Sequence, residues 1–79
     1  MGQPIHRYLK KKIVDKFDFI DKWLPAHYTT SVNIILKEEA KDPAYIRRVK
    51  NRRMIDERVI DALYKVSLLN KIQVETEDQ

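Results

Sequence analysis

The run DPAYIRRVKNRR, Asp42 to Arg53, carries a helix between firm local signals. Asp42 is a preferred N-cap type, because its carboxylate can accept a backbone N–H that the first helical turn leaves free. Pro43 suits the first helical position, where its missing N–H costs nothing and its φ is already helical. Ile46 and Val49 then fall three apart, which predicts one narrow apolar stripe turned to a core. Nearly everything else in the run is polar: Arg47, Arg48, Lys50, Asn51, Arg52 and Arg53. Asn51 either starts the helix C-cap, since Asn tolerates positive φ, or faces outward with the arginines.

Upstream, Thr29 or Thr30 is placed to cap another helix, with Val32, Ile35, Leu36 and Ala40 as its buried stripe. A tight Ala40-Lys41 step joins it to the Asp42 cap. Further upstream, Ile5, Leu9, Ile13, Phe17, Ile20 and Leu24 recur every three or four residues, which predicts a helical segment over 5–24, unbroken or interrupted near Asp15–Asp18. Pro25 ends it, because the residue before proline avoids the helical region.

Downstream, Asp56 is placed to cap a last helix, with Ile55 packing on Ile60 as a hydrophobic staple. Val59, Leu63, Val66 and Leu69 or Asn70 continue its apolar side, and Asp61 to Lys65 is a favourable i,i+4 pair. Residues 1–4 and the acidic tail 74–79 carry no periodicity and are expected to be disordered. The expected whole is one all-α domain of four helices, or five if the first segment is broken.

Composition narrows the function. The chain has 79 residues, enough for one small domain, and 43% hydrophobic with 35% charged residues fits a folded helical protein rather than a disordered one. A single Gly and three Pro leave few β-turn signals. The formal charge of +4 points to a polyanionic partner, and its distribution says more. Seven basic residues (Lys41, Arg47, Arg48, Lys50, Arg52, Arg53 and Arg58) stand against Asp42, Asp56 and Glu57 between positions 41 and 58.

There is no cysteine, which suits a reducing cytoplasm, and no apolar run of membrane-spanning length. Gly2 is the sole glycine, so no glycine-rich phosphate loop exists. His6 and His27 are isolated, and no His/Cys spacing suits zinc. Asp15, Asp18 and Asp21 read as a face paired with interleaved lysines rather than a carboxylate site. Glu38 and Glu39 are adjacent and point apart. The sequence therefore reads as a non-enzyme that takes no cofactor, metal, small-molecule substrate or membrane.

With Ile46 and Val49 inward, helical geometry of about 100° per residue puts Ala44, Arg48 and Asn51 on the opposite side, with Arg47 and Arg52 flanking. Ala44 is small enough for close approach to a base edge. Arg48 has the fork that bonds guanine bidentately, and Asn51 the amide that does so with adenine. Ala44, Arg47, Arg48 and Asn51 are thus the candidate base readers. Thr29, Thr30, Lys41, Arg52 and Arg53 are the candidate phosphate contacts. Tyr45 more often packs at the rim of a core in such a place, and Trp23 plugs one.

From about Tyr28 to Lys71 the arrangement resembles the helix-turn-helix of phage repressors, the lambda repressor and Cro type. The apolar pair Ile35-Leu36, the positions of Ile46 and Val49, and the run YIRRVKNRR carry the likeness, with Val59, Ala62, Leu63 and Val66 as the helix that packs across both. The family usually has Gly in the turn, where this chain has Ala40, and an apolar residue next, where it has Lys41. The resemblance implies a lambda-repressor-like fold. It also implies sequence-specific binding of double-stranded DNA, with helix 43–53 in the major groove, by a homodimeric bacterial or phage transcriptional regulator. Two other readings stand beside it. In one, Phe17, Phe19, Trp23 and Tyr28 form an exposed patch for a protein partner and the arginines only solubilise. In the other, the basic helix binds RNA, although no aromatic-interleaved basic strand is present.

Overall fold

α4 (Glu57–Glu77) is the spine of the molecule, and α1 (Pro4–Trp23), α2 (Tyr28–Leu36) and α3 (Pro43–Arg52) pack around it. The computed structural model describes the backbone of residues 4–77 and the side chains of residues 11–77. Among the described residues there are four α-helices, one 3-10 turn over Lys37–Glu39 and no strand. Met1 to Gln3, Asp78 and Gln79 lie outside them, as do the side chains of Ile5, His6, Leu9 and Lys10. Pro4 already belongs to α1 rather than to a disordered start.

The core follows the apolar periodicities. α4 supplies Val59, Ile60, Ala62, Leu63 and Val66, α1 supplies Phe17 and Ile20, α2 supplies Val32, and α3 supplies Ile46 and Val49. Burying each of the Val, Leu, Ile and Phe side chains among these is worth about 1.5–3 kcal/mol, and no single helix here could do so alone. Ser67 is the one buried polar side chain among those described, and its hydroxyl donates to the Leu63 carbonyl at 2.8 Å, one turn back.

α1 and α4 lie side by side and run the same way. Lys16 pairs with Asp61 at 3.0 Å, Phe19 lies 5.0 Å from Tyr64 between ring centroids, and the Asn70 amide donates to the Trp23 carbonyl at 2.8 Å. The Lys16 pair replaces the expected Asp61–Lys65 pair: a cation from the neighbouring helix reaches the carboxylate first. α1 is continuous through Asp15–Asp18, so the architecture has four helices, not five. Trp23 is half-buried rather than a core plug, with Lys22 and Lys71 at 5.6 and 5.5 Å from its ring.

Several local expectations need correction. α2 is not capped by Thr29 or Thr30. Its N-cap is His27, in the left-handed region at φ 58°, and no side chain caps it, so the threonines sit within the first turn. Ala40 is exposed and outside α2, which ends at Leu36. Ile55 is 68% exposed and makes no staple, because Met54 takes the place against the core. Asn70, not Leu69, continues the inner side of α4. α4 runs on to Glu77, so residues 74–77 are helical; no Gly or Pro intervenes to stop it, and a Lys71–Glu75 pair at 2.6 Å spans its last turns.

The connection from α2 to α3 is longer than an Ala40-Lys41 step and occupies residues 37 to 42. Positive φ falls on Lys37 (φ 58°, ψ −116°), three residues before Ala40, where a Cβ is strained and glycine is at ease. Lys37→Gly should therefore raise stability by about 1 kcal/mol net, relieved strain exceeding the added unfolded-chain entropy. A higher urea midpoint at unchanged m-value is the expected readout; a lower midpoint would contradict the assignment of strain to this residue.

Candidate nucleic-acid interface

The position of α3 is set from both ends and from beneath. At its start, Asp42 Oδ1 accepts the Ala44 N–H at 2.8 Å with Pro43 in the first turn, as the residue types demand. Just before it, the Asn33 side chain holds Lys41 by both backbone groups: the Lys41 N–H donates to Oδ1 at 2.9 Å, and Nδ2 donates to the Lys41 carbonyl at 2.8 Å. Beneath, Ile46 and Val49 are fully buried. At the far end the C-cap is Arg53, left-handed at φ 51°, so Asn51 belongs to the last helical turn and not to the cap.

Tyr45 packs at the rim and locks α3 to α4. Its hydroxyl donates to Asp56 Oδ2 at 2.5 Å, while Asp56 Oδ1 accepts the Val59 N–H at 3.3 Å and so caps α4. The hydrogen bond to Asp56 pushes the Tyr45 phenol above its ordinary value, with burial and the carboxylate charge adding to it and Arg48 opposing. The same bond holds Asp56 below the ordinary aspartate value; the Val59 and Arg58 amides and the Lys41 charge help, and burial opposes.

A pH dependence follows from that bond. The folded state binds fewer protons at Asp56 than the unfolded chain near and below the unfolded value, so this contribution is complete above about pH 5 and is lost as pH falls through the depressed folded value. Denaturant titrations from about pH 6 to about pH 3 should show that loss, and Tyr45→Phe should make it smaller. An identical pH dependence in the variant would contradict the linkage.

The cations of α3 sort into two sets. Lys50 and Arg53 turn to α1: the Arg53 guanidinium donates to Asp18 Oδ1 at 2.9 Å and Asp21 Oδ2 at 2.8 Å, and Lys50 lies 3.9 Å from Asp21. Arg53 also lies 5.5 Å from the Phe17 ring centroid, and its bonds to Asp21 and Asp18 raise its pKa further. Asp18 and Asp21 of α1 thus meet Arg53 and Lys50 from the α3 side.

Arg47, Arg48 and Arg52 are exposed, and among the described residues no carboxylate forms an ion pair with them. Ala44 and Asn51 are exposed beside them. Arg47 acts on Tyr28 at the start of α2, partly offsetting the rise in the Tyr28 pKa that burial causes. Thr30 there is exposed and Thr29 half-buried. Lys41 is exposed at the entry to α3.

Ala44, Arg47, Arg48, Asn51 and Arg52 thus lie exposed on α3 and Lys41 at its entry, Thr29 and Thr30 belong to the first turn of α2, and Arg53 is folded back onto α1. Sequence reasoning missed Asn33, Asp18 and Asp21 as the residues that fix the helix. A lone Asn inside a helix is the only local hint of the first.

Of the aromatic residues of the competing reading, Phe17 is buried, while Phe19, beside Tyr64, and Trp23 and Tyr28 are half-buried. No helix among the described residues is long and apolar enough to cross a membrane, and no group of three or more metal-ligating side chains occurs there. Compared with protein-family models, with curated proteins and with solved structures, the chain matches none.

Proposed function

We propose that this chain binds double-stranded DNA sequence-specifically through the outward face of α3, as a small transcriptional regulator of bacterial or phage type. α2 and α3 then form a helix-turn-helix with an extended turn, and α4 packs across both in a lambda-repressor-like arrangement. One observation carries the reading: four cations share the C-terminal two thirds of one short helix and a fifth is its C-cap, the two facing the body, Lys50 and Arg53, are paired with carboxylates, and among the described residues the three facing out are not. A surface face that only aided solubility would have no need of a capped, core-tethered helix with rigid arginine forks.

The dimensions agree. The ten residues of α3 span about 15 Å, and a helix fits a major groove about 12 Å wide. In this reading Ala44 allows close approach, Arg48 reads guanine, and Asn51 reads adenine, with Arg47 beside them. Lys41, Arg52, Thr29 and Thr30 hold phosphates. Arg53 is reassigned as a positioning residue that fixes the angle of α3 against α1, since its guanidinium is already engaged by two carboxylates.

Fluorescence anisotropy with a random-sequence duplex tests the binding directly. The two cationic phosphate contacts, Lys41 and Arg52, should give a log–log salt slope of roughly −2. No duplex binding at about 50 mM salt, or tighter binding to a structured RNA in competition, would overturn the proposal.

A further inference from the structure

The first carboxylate of the chain is Asp15. Before it stand Arg7, Lys10, Lys11 and Lys12, and the other twelve of the sixteen Lys and Arg are matched by twelve Asp and Glu, so the net charge of +4 resides in the first turns of α1. Those turns overhang the body. Lys12, Ile13 and Lys16 share the walls of a shallow cavity with Glu57, Ile60 and Asp61, so α4 begins level with positions 12–13. Positions 4–11 run about 12 Å further with no α4 beside them. Positions 7, 11, 14, 18 and 21 follow one another at alternating steps of four and three, which puts them on one line of α1. At its C-terminal end that line carries Asp18 and Asp21, which meet Arg53 and Lys50 at the end of α3. The Asp18 side chain is 62% exposed even so, which means the line opens to solvent beside α3 rather than beneath it. At its N-terminal end the line carries Arg7 and Lys11; Lys11 is exposed and forms no ion pair among the described residues.

We infer that the first turns of α1 are a second contact with the duplex, in which Arg7 and Lys11 hold the phosphate backbone flanking the stretch that α3 covers. The inference rests on the DNA reading and extends it to a segment outside the α2–α3 pair. Position 7 lies eleven residues before Asp18, about 16 Å along the axis. That exceeds the roughly 12 Å width of the major groove, so a duplex seated on α3 brings flanking phosphates, not base edges, to these cations. The charge pattern suits a row of phosphates. Positions 7, 10 and 11 are three or four apart, so their like charges repel along the helix, and an extended polyanion relieves that repulsion while releasing its counterions. A single small anion would engage one end of the row only. One line of α1 thus serves twice: its acidic end fixes α3, and its basic end grips the same nucleic acid.

Salt titrations of the full chain on a duplex of about 30 base pairs, long enough to pass beyond α3, test it by anisotropy. Lys41 and Arg52 alone account for a log–log slope of roughly −2, and the two α1 contacts should steepen it to about −4. Arg7→Gln with Lys11→Gln should return the slope to about −2 and weaken the complex about tenfold at about 100 mM salt. Helicity should be kept, because the two substitutions remove a like-charge pair four residues apart. Lys65→Gln with Lys71→Gln takes the same charge from α4 and should leave the slope as in the wild type. A wild-type slope of only about −2, a complex indifferent to the α1 substitutions, or one weakened as much by the α4 substitutions, would overturn the inference. Loss of binding on Arg48→Ala in the same assay would then leave the DNA reading standing. No binding of the wild type at about 50 mM salt would overturn both.

Discussion

A chain carrying Arg47→Ala, Arg48→Ala and Arg52→Ala should lose roughly a hundredfold or more in duplex affinity at about 100 mM salt, while keeping its helicity and melting temperature. The size follows from adding about 1–3 kcal/mol for the bidentate base contact of Arg48 to about 1 kcal/mol each for Arg47 beside it and for the backbone contact of Arg52. The log–log salt slope should flatten by about 1 as the Arg52 backbone contact disappears. The fold should be indifferent, because none of the three forms an ion pair or a side-chain hydrogen bond among the described residues. Arg53→Ala should act differently. It releases α3 from Asp18 and Asp21, so its effect should appear in stability as well as in binding. Anisotropy titrations beside thermal melts separate the two. A triple variant within about tenfold of wild type would remove the outer face of α3 from the function.

Leu63→Ala should destabilise the domain by about 3 kcal/mol, the cost of a lost buried side chain plus the cavity it leaves. Leu63 is fully buried in α4, the helix against which the other three pack. A domain of this length has a total stability of roughly 4–12 kcal/mol, so one methyl-rich side chain holds a large fraction of it. A melting temperature lower by roughly 12–24 °C is expected. Ile55→Ala, two residues from the start of α4 but exposed, should change stability by less than about 0.5 kcal/mol. If the two variants melted alike, the packing described for α4 would be wrong.

What could be read from sequence was local. Asp42-Pro43 announces the start of α3 with its own cap, and the spacing of Ile46 and Val49 tells which side turns inward; neither needs knowledge of a distant residue. The core side of α1 and α4 followed from the same period. What stayed hidden depends on which polar groups meet in space. Arg53 finds Asp18 and Asp21 across more than thirty positions, Tyr45 finds Asp56 across eleven and Asn33 finds Lys41 across eight. Periodicity orients a side chain but does not name its neighbour.

Two residues show the competition between local rules. Ile55 obeys the staple pattern, but adjacent Met54 reaches the core first, an unbranched side chain that fills an irregular gap. The strained turn residue was sought where Ala40 stands, yet α2 ends earlier and the positive φ falls on Lys37, a residue type that gives no warning of it. The acidic tail looked aperiodic, yet without a Gly or Pro the helix continues through it to Glu77.

The central claim is that a helix anchored by Ile46 and Val49 presents Ala44, Arg47, Arg48 and Asn51 to the edges of base pairs. Repeated selection of bound molecules from a pool of random duplexes tests it most directly. The account predicts enrichment of one short sequence, with preference relaxed at a single base pair when Arg48→Ala is used in place of the wild type. A pool that stays random through successive rounds, or an enriched sequence read unchanged by Arg48→Ala, would contradict it.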